Sequence, residues 1–349
     1  MRIGIAGLRR GQSFLRVFEE RSDCEVSALC DTDEDVLNEV GNVWKSADRY
    51  DTFDSLLDAD VDVLVVSTPG PLHADQAIAA LDSGKHVLSE VPAAWSLESC
   101  HALVEAVERT DVVYSLAENM CYFHYLVDWK SRIRAGEIGQ VTYAEAEYIH
   151  DCSARMHDGN WRKEMPPIYY CTHSLGPVLE ILDDRCTQAI GLSTGSRTHP
   201  ELGVHDMEVA LFQTERGVPV KILCGFAICR DPAFHWQVFY GTEGVIENGR
   251  PPDDSAKMFQ KGNRSMREIE ADVSDPDLKS AATGGHGTSE MLLVDDYLKA
   301  VRGEGPNRID VYKGLEMSAP GICAHESALK GGIPVEIPDF RAGQRSDYN

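Results

Sequence analysis

No stretch of this 349-residue chain approaches the roughly 20 consecutive apolar residues that a membrane-spanning helix needs; runs such as VDVLVVSTPG fall well short. Basic charge is scarce as well. Lys and Arg number 33 against 57 Asp and Glu, a net charge of −24 that argues against gripping a nucleic-acid backbone. The acidic excess reads as a well-solvated surface suited to a salty cytoplasm and says nothing of the substrate. No CxxC pair occurs, and Cys224 with Cys229 has no second pair to complete a zinc site, so no metal is expected. The ten cysteines are scattered, with Cys30 and Cys224 in apolar strand runs, which fits buried reduced thiols better than an extracellular disulfide framework. The opening MRIGIAG enters a strand pattern directly and lacks the layout of a secretory signal, so the expected location is cytoplasmic.

What is present suits two folded domains. Up to about residue 118, short apolar runs (RIGIAG, EVSALCD, VDVLVVSTP, KHVLSE, VVYSLAEN) alternate with segments of helical periodicity such as SFLRVFEERS and HADQAIAALDSG. That alternation predicts an α/β domain, residues 1–118, with a doubly wound parallel sheet of Rossmann type. From CYFHYLVDWKSRIRAGEIG onward one helix leads into longer strands that alternate or carry aromatics, joined by Gly-containing turns such as TERGVP and YGTEGV. Residues 119–349 are therefore expected to form an α+β domain with an open antiparallel sheet.

RIGIAGLRRGQSF is a glycine-rich turn between a first strand and a first helix. Gly7 permits a sharp turn and Gly11 lets the helix start close to the sheet, so the amides of Leu8, Arg9 and Arg10 can hold a pyrophosphate. GxGxxG would need a third glycine at position 9, where this chain has Arg9. Asp31 closes the second strand about 20 residues on, where a carboxylate accepts hydrogen bonds from an adenosine ribose and repels a 2′-phosphate. NAD is thus expected over NADP, with Arg9 or Arg10 able to soften the preference; the competing role for Asp31 is to cap the following helix. Thr68 and Pro69 end another strand where they can pack on the dinucleotide, and His73 belongs to the same set.

The stretch STPGPLHADQAIAALDSGKHVLSEVPAAWS resembles the Gfo/Idh/MocA oxidoreductases, with their Thr-Pro strand end, Gly-Lys-His-Val and Glu-Lys-Pro. The resemblance implies a Rossmann domain followed by a domain with an open antiparallel sheet that often mediates oligomers, here a dimer or tetramer. It also implies NAD(P)-dependent oxidation or reduction of a sugar or cyclitol carbinol. The dehydrogenases of that family carry a lysine in Glu-Lys-Pro, plus an Asp and a His four residues apart. Those positions read Val91, Tyr169 and His173. A branch with the same departures is glycoside hydrolase family 109, the NAD-dependent α-N-acetylgalactosaminidases. It is similar at EVPAA, ENMCY, YIHD, WR, Tyr170-Cys-Thr-His-Ser-Leu-Gly-Pro177, GHG (Gly285 to Gly287), IDVYK and PVEIPDF, in that order. The chain lacks that family's insertion before its Tyr-Pro-Thr-His and has Cys171 in place of the proline, so the sugar specificity does not carry over.

That resemblance implies a redox-neutral cycle: hydride removal from sugar C3, loss of the acidified C2 proton, elimination of the C1 substituent, water addition and hydride return. His173 would receive the C3 hydroxyl proton. Tyr148 matches the C2 base, which requires its pKa to fall beside a positive charge. Glu118 matches the glutamate near the sugar hydroxyls. Tyr169 and Tyr170 should point to different faces of one helix, so at most one meets the sugar. Tyr122, His150, Trp161, Arg162 and His286 are candidate pocket residues, Arg162 also reaching the cofactor, while Glu90 and Asn119 would touch the nicotinamide ribose. The alternatives are a sugar dehydrogenase in which Tyr169 or Tyr170 stands in for the lysine, and a regulatory NAD-binding protein without catalysis.

Overall fold

The computed structural model describes residues 1–251, 255–272 and 285–341, with side chains from residue 289 onward in the last stretch. The chain divides into two compact units, Met1–Asn119 with Ser280–Leu315, and Met120–Lys279 with Glu316–Asn349. The sequence reading put one boundary after residue 118, whereas the chain returns to the first unit over Ser280–Leu315. The return is held by polar contacts that local periodicity does not reveal. Ser115 Oγ and Leu116 N both donate to Ile309 O, and Asn307 Nδ2 donates to Tyr114 O.

The first unit holds a parallel sheet of β1 (Arg2–Ala6), β2 (Glu25–Cys30), β3 (Asp48–Tyr50), β4 (Val63–Val66), β5 (His86–Ser89) and β6 (Tyr114–Leu116) in the order β3-β2-β1-β4-β5-β6. The helices between them are α1 (Leu8–Glu19), α2 (Glu34–Val43), α3 (Phe53–Leu57), α4 (His73–Asp82) and α5 (Leu97–Glu108), and α8 (Gly285–Val301) packs against α1. Strands covered on both faces read as unbroken apolar runs, and β4 is buried at all four positions. Phe14 and Phe18 of α1 are fully buried, each contributing about 1.5–3 kcal/mol. Side-chain caps set the helix starts: Asp33 accepts from Asp35 N and Val36 N, and Ser96 accepts from Ser99 N.

The second unit is built on a sheet of β7 (Val141–Ile149), β8 (Cys186–Ser193), β9 (Met207–Thr214), β10 (Pro219–Gly225), β11 (Phe234–Gly241), β12 (Gly244–Glu247), β13 (Ala256–Gln260), β14 (Arg267–Ile269) and β15 (Val335–Glu336). Their order is β14-β13-β12-β11-β7-β10-β9-β8-β15. The sheet was expected to be antiparallel; β10 runs parallel to β7, and the remaining pairs are antiparallel. Here α6 is His124–Arg134, α7 is Thr172–Leu182, and α9 (Val311–Leu329) begins in the first unit and continues in the second. α7 packs on β7 and β11.

Register places Ser193, Glu208, Cys224, Tyr148 and His235 opposite one another in turn across β8, β9, β10, β7 and β11. Opposed residues project to the same face, so these five form one row. On the other face Leu192, Leu211 and Tyr240 are exposed. All ten cysteines are free thiols, buried except for Cys24 and Cys229.

Candidate active site and cofactor site

In the first unit the turn after β1 is shaped by two glycines. Gly7 has φ +85°, and a Cβ there would lie 2.4 Å from Ser67 O; one on Gly11 would lie 2.6 Å from Ile5 Cγ2. Both let the start of α1 approach the sheet, and the first-turn amides that a helix leaves without an intrahelical acceptor lie at Leu8, Arg9 and Arg10. Ser67 Oγ closes the turn from β4 by donating to Ala6 O and Gly7 O, both at 2.8 Å.

At the end of β2, Asp31 Oδ2 accepts from Leu8 N at 2.8 Å and Oδ1 from Asp33 N at 2.9 Å. The cap of α2 is Asp33, so the capping role weighed for Asp31 falls to its neighbour. Each Asp31 oxygen keeps a further lone pair for a ribose hydroxyl. Arg9 is 75% exposed and bonds Asp33 Oδ2 at 2.7 Å. Arg10 turns the other way, with Nε 2.6 Å from Glu90 Oε1, Nη1 2.8 Å from Ser13 Oγ, and an ion pair to Glu290. Burial works against its charge, yet Glu90 and Glu290 hold the Arg10 pKa above the ordinary value. Its donors brace β5 and α8 against α1.

His73 is buried, with Nε2 2.7 Å from Thr68 O and Nδ1 3.0 Å from Pro92 O, so it ties the β4 end to the segment after β5. Thr68 Oγ1 donates to Gln76. Val91 is buried and its amide donates to Glu90 Oε2 at 3.2 Å. Glu118 and Asn119 are buried just beyond β6. The glycine cradle, the amides at the start of α1 and the carboxylate at the end of β2 fit a dinucleotide.

In the second unit a cluster of rings forms around Tyr148. Its ring stacks on His235 with centroids 4.1 Å apart, meets His173 edge-on at 5.6 Å and Phe226 at 5.0 Å, and lies 6.0 Å from Tyr170. His173, near the start of α7, also meets Tyr170 at 5.2 Å. Tyr148 Oη lies 3.2 Å from His150 Nδ1. The tyrosine base was expected to need a lowered pKa. Burial instead pushes Tyr148 up, helped by Tyr170, Cys152 and Cys224, with Arg162 opposing. His150 moves the other way, its pKa lowered by partial burial and then by Arg155 and Arg162.

Tyr169 and Tyr170 do part company, but not along a helix. They lie in the 3₁₀ turn Pro167–Cys171, where Tyr170 has non-helical φ −90° and ψ 18°. Tyr170 faces His173, while Tyr169 meets the His325 ring edge-on at 5.6 Å. The Arg162 guanidinium lies 4.4 Å over the Trp161 ring, and Tyr122 is buried. The side chain of His286 lies outside the described residues. His235 and Phe226 were missed by sequence reasoning; the histidine in the alternating strand FHWQVF was the available signal, and only register could attach it to Tyr148.

Residues 1–118 match the family described as "Oxidoreductase family, NAD-binding Rossmann fold", and residues 205–347 match "Glycosyl hydrolase 109, C-terminal domain". A glycosyl hydrolase family 109 protein of Solibacter usitatus is 28% identical, the match covering 99% of this chain and 89% of the relative. An alpha-N-acetylgalactosaminidase of Bacteroides fragilis is 27% identical over 98% of this chain and 92% of its own. Both alignments, 392 and 395 positions, exceed the 349 residues here, so the relatives hold residues this chain lacks. Among solved structures, levoglucosan dehydrogenase in complex with NADH and levoglucosan superposes with a TM-score of 0.85 at 18% identity, covering 97% of this chain and 99% of that one. That likeness speaks to fold alone. The chain is an NAD-dependent enzyme, similar over its first 118 residues to the NAD-binding oxidoreductases and over residues 205–347 to the C-terminal domain of the glycosyl hydrolase 109 proteins.

Proposed function

We propose that the enzyme is a redox-neutral glycosidase that works through C3 of a sugar ring, rather than a dehydrogenase with net oxidation. The observation that carries this reading is Tyr148, a second proton-handling group beside His173. Oxidising a carbinol needs one base. Elimination across C1 and C2 needs another, and Val91 cannot serve as either.

Bound NAD supplies a reversible hydride acceptor for C3. His173 receives the C3 hydroxyl proton and returns it at the end of the cycle. Tyr148 takes the C2 proton. Because burial disfavours its phenolate, it must pass its own proton on, and the neutral His150 Nδ1 at 3.2 Å is the acceptor in reach. Arg162 supplies the positive charge that favours the phenolate. Tyr170 and His235 wall the rings of Tyr148 and His173 and fix their orientation. Glu118 holds sugar hydroxyls, Glu90 and Asn119 the nicotinamide ribose, and Tyr122 and Trp161 contribute apolar surface for the sugar. The alpha-N-acetylgalactosaminidase relative supports a glycoside substrate.

Free thiols throughout suit a reducing compartment such as the cytoplasm, and no described helix is long and apolar enough to cross a membrane. The exposed apolar residues Leu192, Leu211 and Tyr240 on one sheet face suit a homodimer or tetramer.

The experiment is a two-channel assay with nitrophenyl glycosides and free sugars in the presence of NAD⁺. Nitrophenolate release without accumulating NADH, lost when NAD⁺ is stripped, is the expected result. Stoichiometric NADH without aglycone release would mean a dehydrogenase.

A further inference from the structure

We infer that the second unit carries a binding site for one divalent transition-metal cation, with zinc as its type, built by His205, Glu208 and His325. One donor atom from each lies within 4.8 Å of the others. His205 precedes β9, Glu208 is its second residue, and His325 stands on α9, so the fold brings together groups 117 positions apart.

The geometry is specific. His325 Nδ1 lies 2.7 Å and His205 Nδ1 3.4 Å from the same oxygen, Glu208 Oε1. A tetrahedral ion with bonds of roughly 2.0–2.2 Å sets its donors about 3.3–3.6 Å apart; His205 Nδ1 already stands at that separation, and His325 Nδ1, now at a hydrogen-bonding 2.7 Å, has to draw back to admit the ion. Glu208 is only 1% exposed, and a carboxylate so deep needs cationic or hydrogen-bonding partners. Its other oxygen accepts from Ile168 N at 3.1 Å, the kind of outer contact that orients a metal ligand. Ser193 Oγ, 2.9 Å from His205 Nδ1, is near enough to complete the set or to hold a water that does. A plain ion pair would use one protonated histidine. Here the fold brings a second imidazole, held by Ser193 Oγ, to within 3.4 Å of the same oxygen.

Two imidazoles and one carboxylate suit zinc and its first-row neighbours, and are too few oxygens for calcium or magnesium. The position gives the ion a purpose. Glu208 is in the row that continues through Cys224 to Tyr148, two strand spacings or roughly 10 Å along. Its Oε2 holds the backbone of the 3₁₀ turn that presents Tyr169 and Tyr170. The cation braces the floor of the ring cluster and stands outside the proton chemistry.

The test uses the full chain, stripped with a chelator and titrated with Zn²⁺ against a fluorescent zinc indicator, then loaded with Co²⁺ for visible absorption. Expected are one tight site per chain, a raised melting temperature with Zn²⁺, and Co²⁺ d–d bands of a four-coordinate nitrogen and oxygen site. Glu208→Gln and His325→Ala should weaken binding about a hundredfold while NAD binding to the first unit persists. Should either variant fail to fold, His205→Ala at the more exposed ligand gives the same readout. The inference is overturned by no stoichiometric binding to the stripped wild type, by binding undiminished in folded variants, or by thiolate charge-transfer bands that assign the metal to cysteine.

Discussion

At Tyr148 two demands pull against each other. The base proposed here must give up its proton, yet this phenol is buried and its pKa is raised first by that burial, with Arg162 alone among the named charges pulling it down. The strand resolves the conflict two residues on, by setting the His150 imidazole within hydrogen-bond reach. Tyr148→Phe should lower kcat by about 10²–10⁴-fold, the ordinary worth of a positioned base, with NAD⁺ affinity unchanged in a fluorescence titration. A variant with wild-type kcat would remove Tyr148 from the chemistry. His150 gives the pH dependence. Partial burial and the nearby arginines lower its pKa, so it stays neutral until the pH falls below the usual value of about 6.5. Protonation fills the acceptor, so activity should fall as the pH drops through that lowered pKa. His150→Gln should abolish this acid limb of the kcat profile; an unaltered limb would assign it to another group.

Among the elements, the joint between β1 and α1 is the most exacting. Gly7 sits at φ +85° with the Ser67 carbonyl where a Cβ would go. Gly7→Ala should cost about 1–3 kcal/mol in strain, read as a lower urea midpoint, and should weaken NAD⁺ binding by displacing the start of α1; an unchanged midpoint would mean the turn is more yielding than it looks. This joint was legible in the sequence because its requirements are local: glycines at fixed offsets, an apolar strand before them and Asp31 beyond. The same holds for β2, β4, β5 and β6, whose apolar runs stand out, but not for β3, whose Asp-Arg-Tyr is polar and largely exposed and gives no such signal. The helix of His173 was legible only through a family motif. What local pattern cannot supply is register. That β10 runs parallel to β7, that His235 stacks on Tyr148, and that His205 and His325 converge on Glu208 all depend on pairings between distant segments. Residues Ser280–Leu315 were read with the second domain for the same reason, since Ile309 bonds Ser115 from 194 positions away.

Taken whole, the molecule joins a domain built to hold a redox cofactor to one described by a hydrolase family. On the proposed reading the two descriptions agree, because the hydride that leaves the sugar comes back to it. The −24 net charge bears on solubility and not on this chemistry. A returning hydride leaves no trace in the redox balance, but the C2 proton does leave one, because a base that removes it exchanges it with solvent. The most direct measurement is therefore hydrolysis of a cleavable glycoside in D₂O with NAD⁺ present, followed by mass spectrometry and proton NMR of the released sugar. The expected result is one deuteron at C2 and none at C3. A released sugar that keeps its original C2 hydrogen would contradict elimination and, with it, the assignment of Tyr148 as the second base.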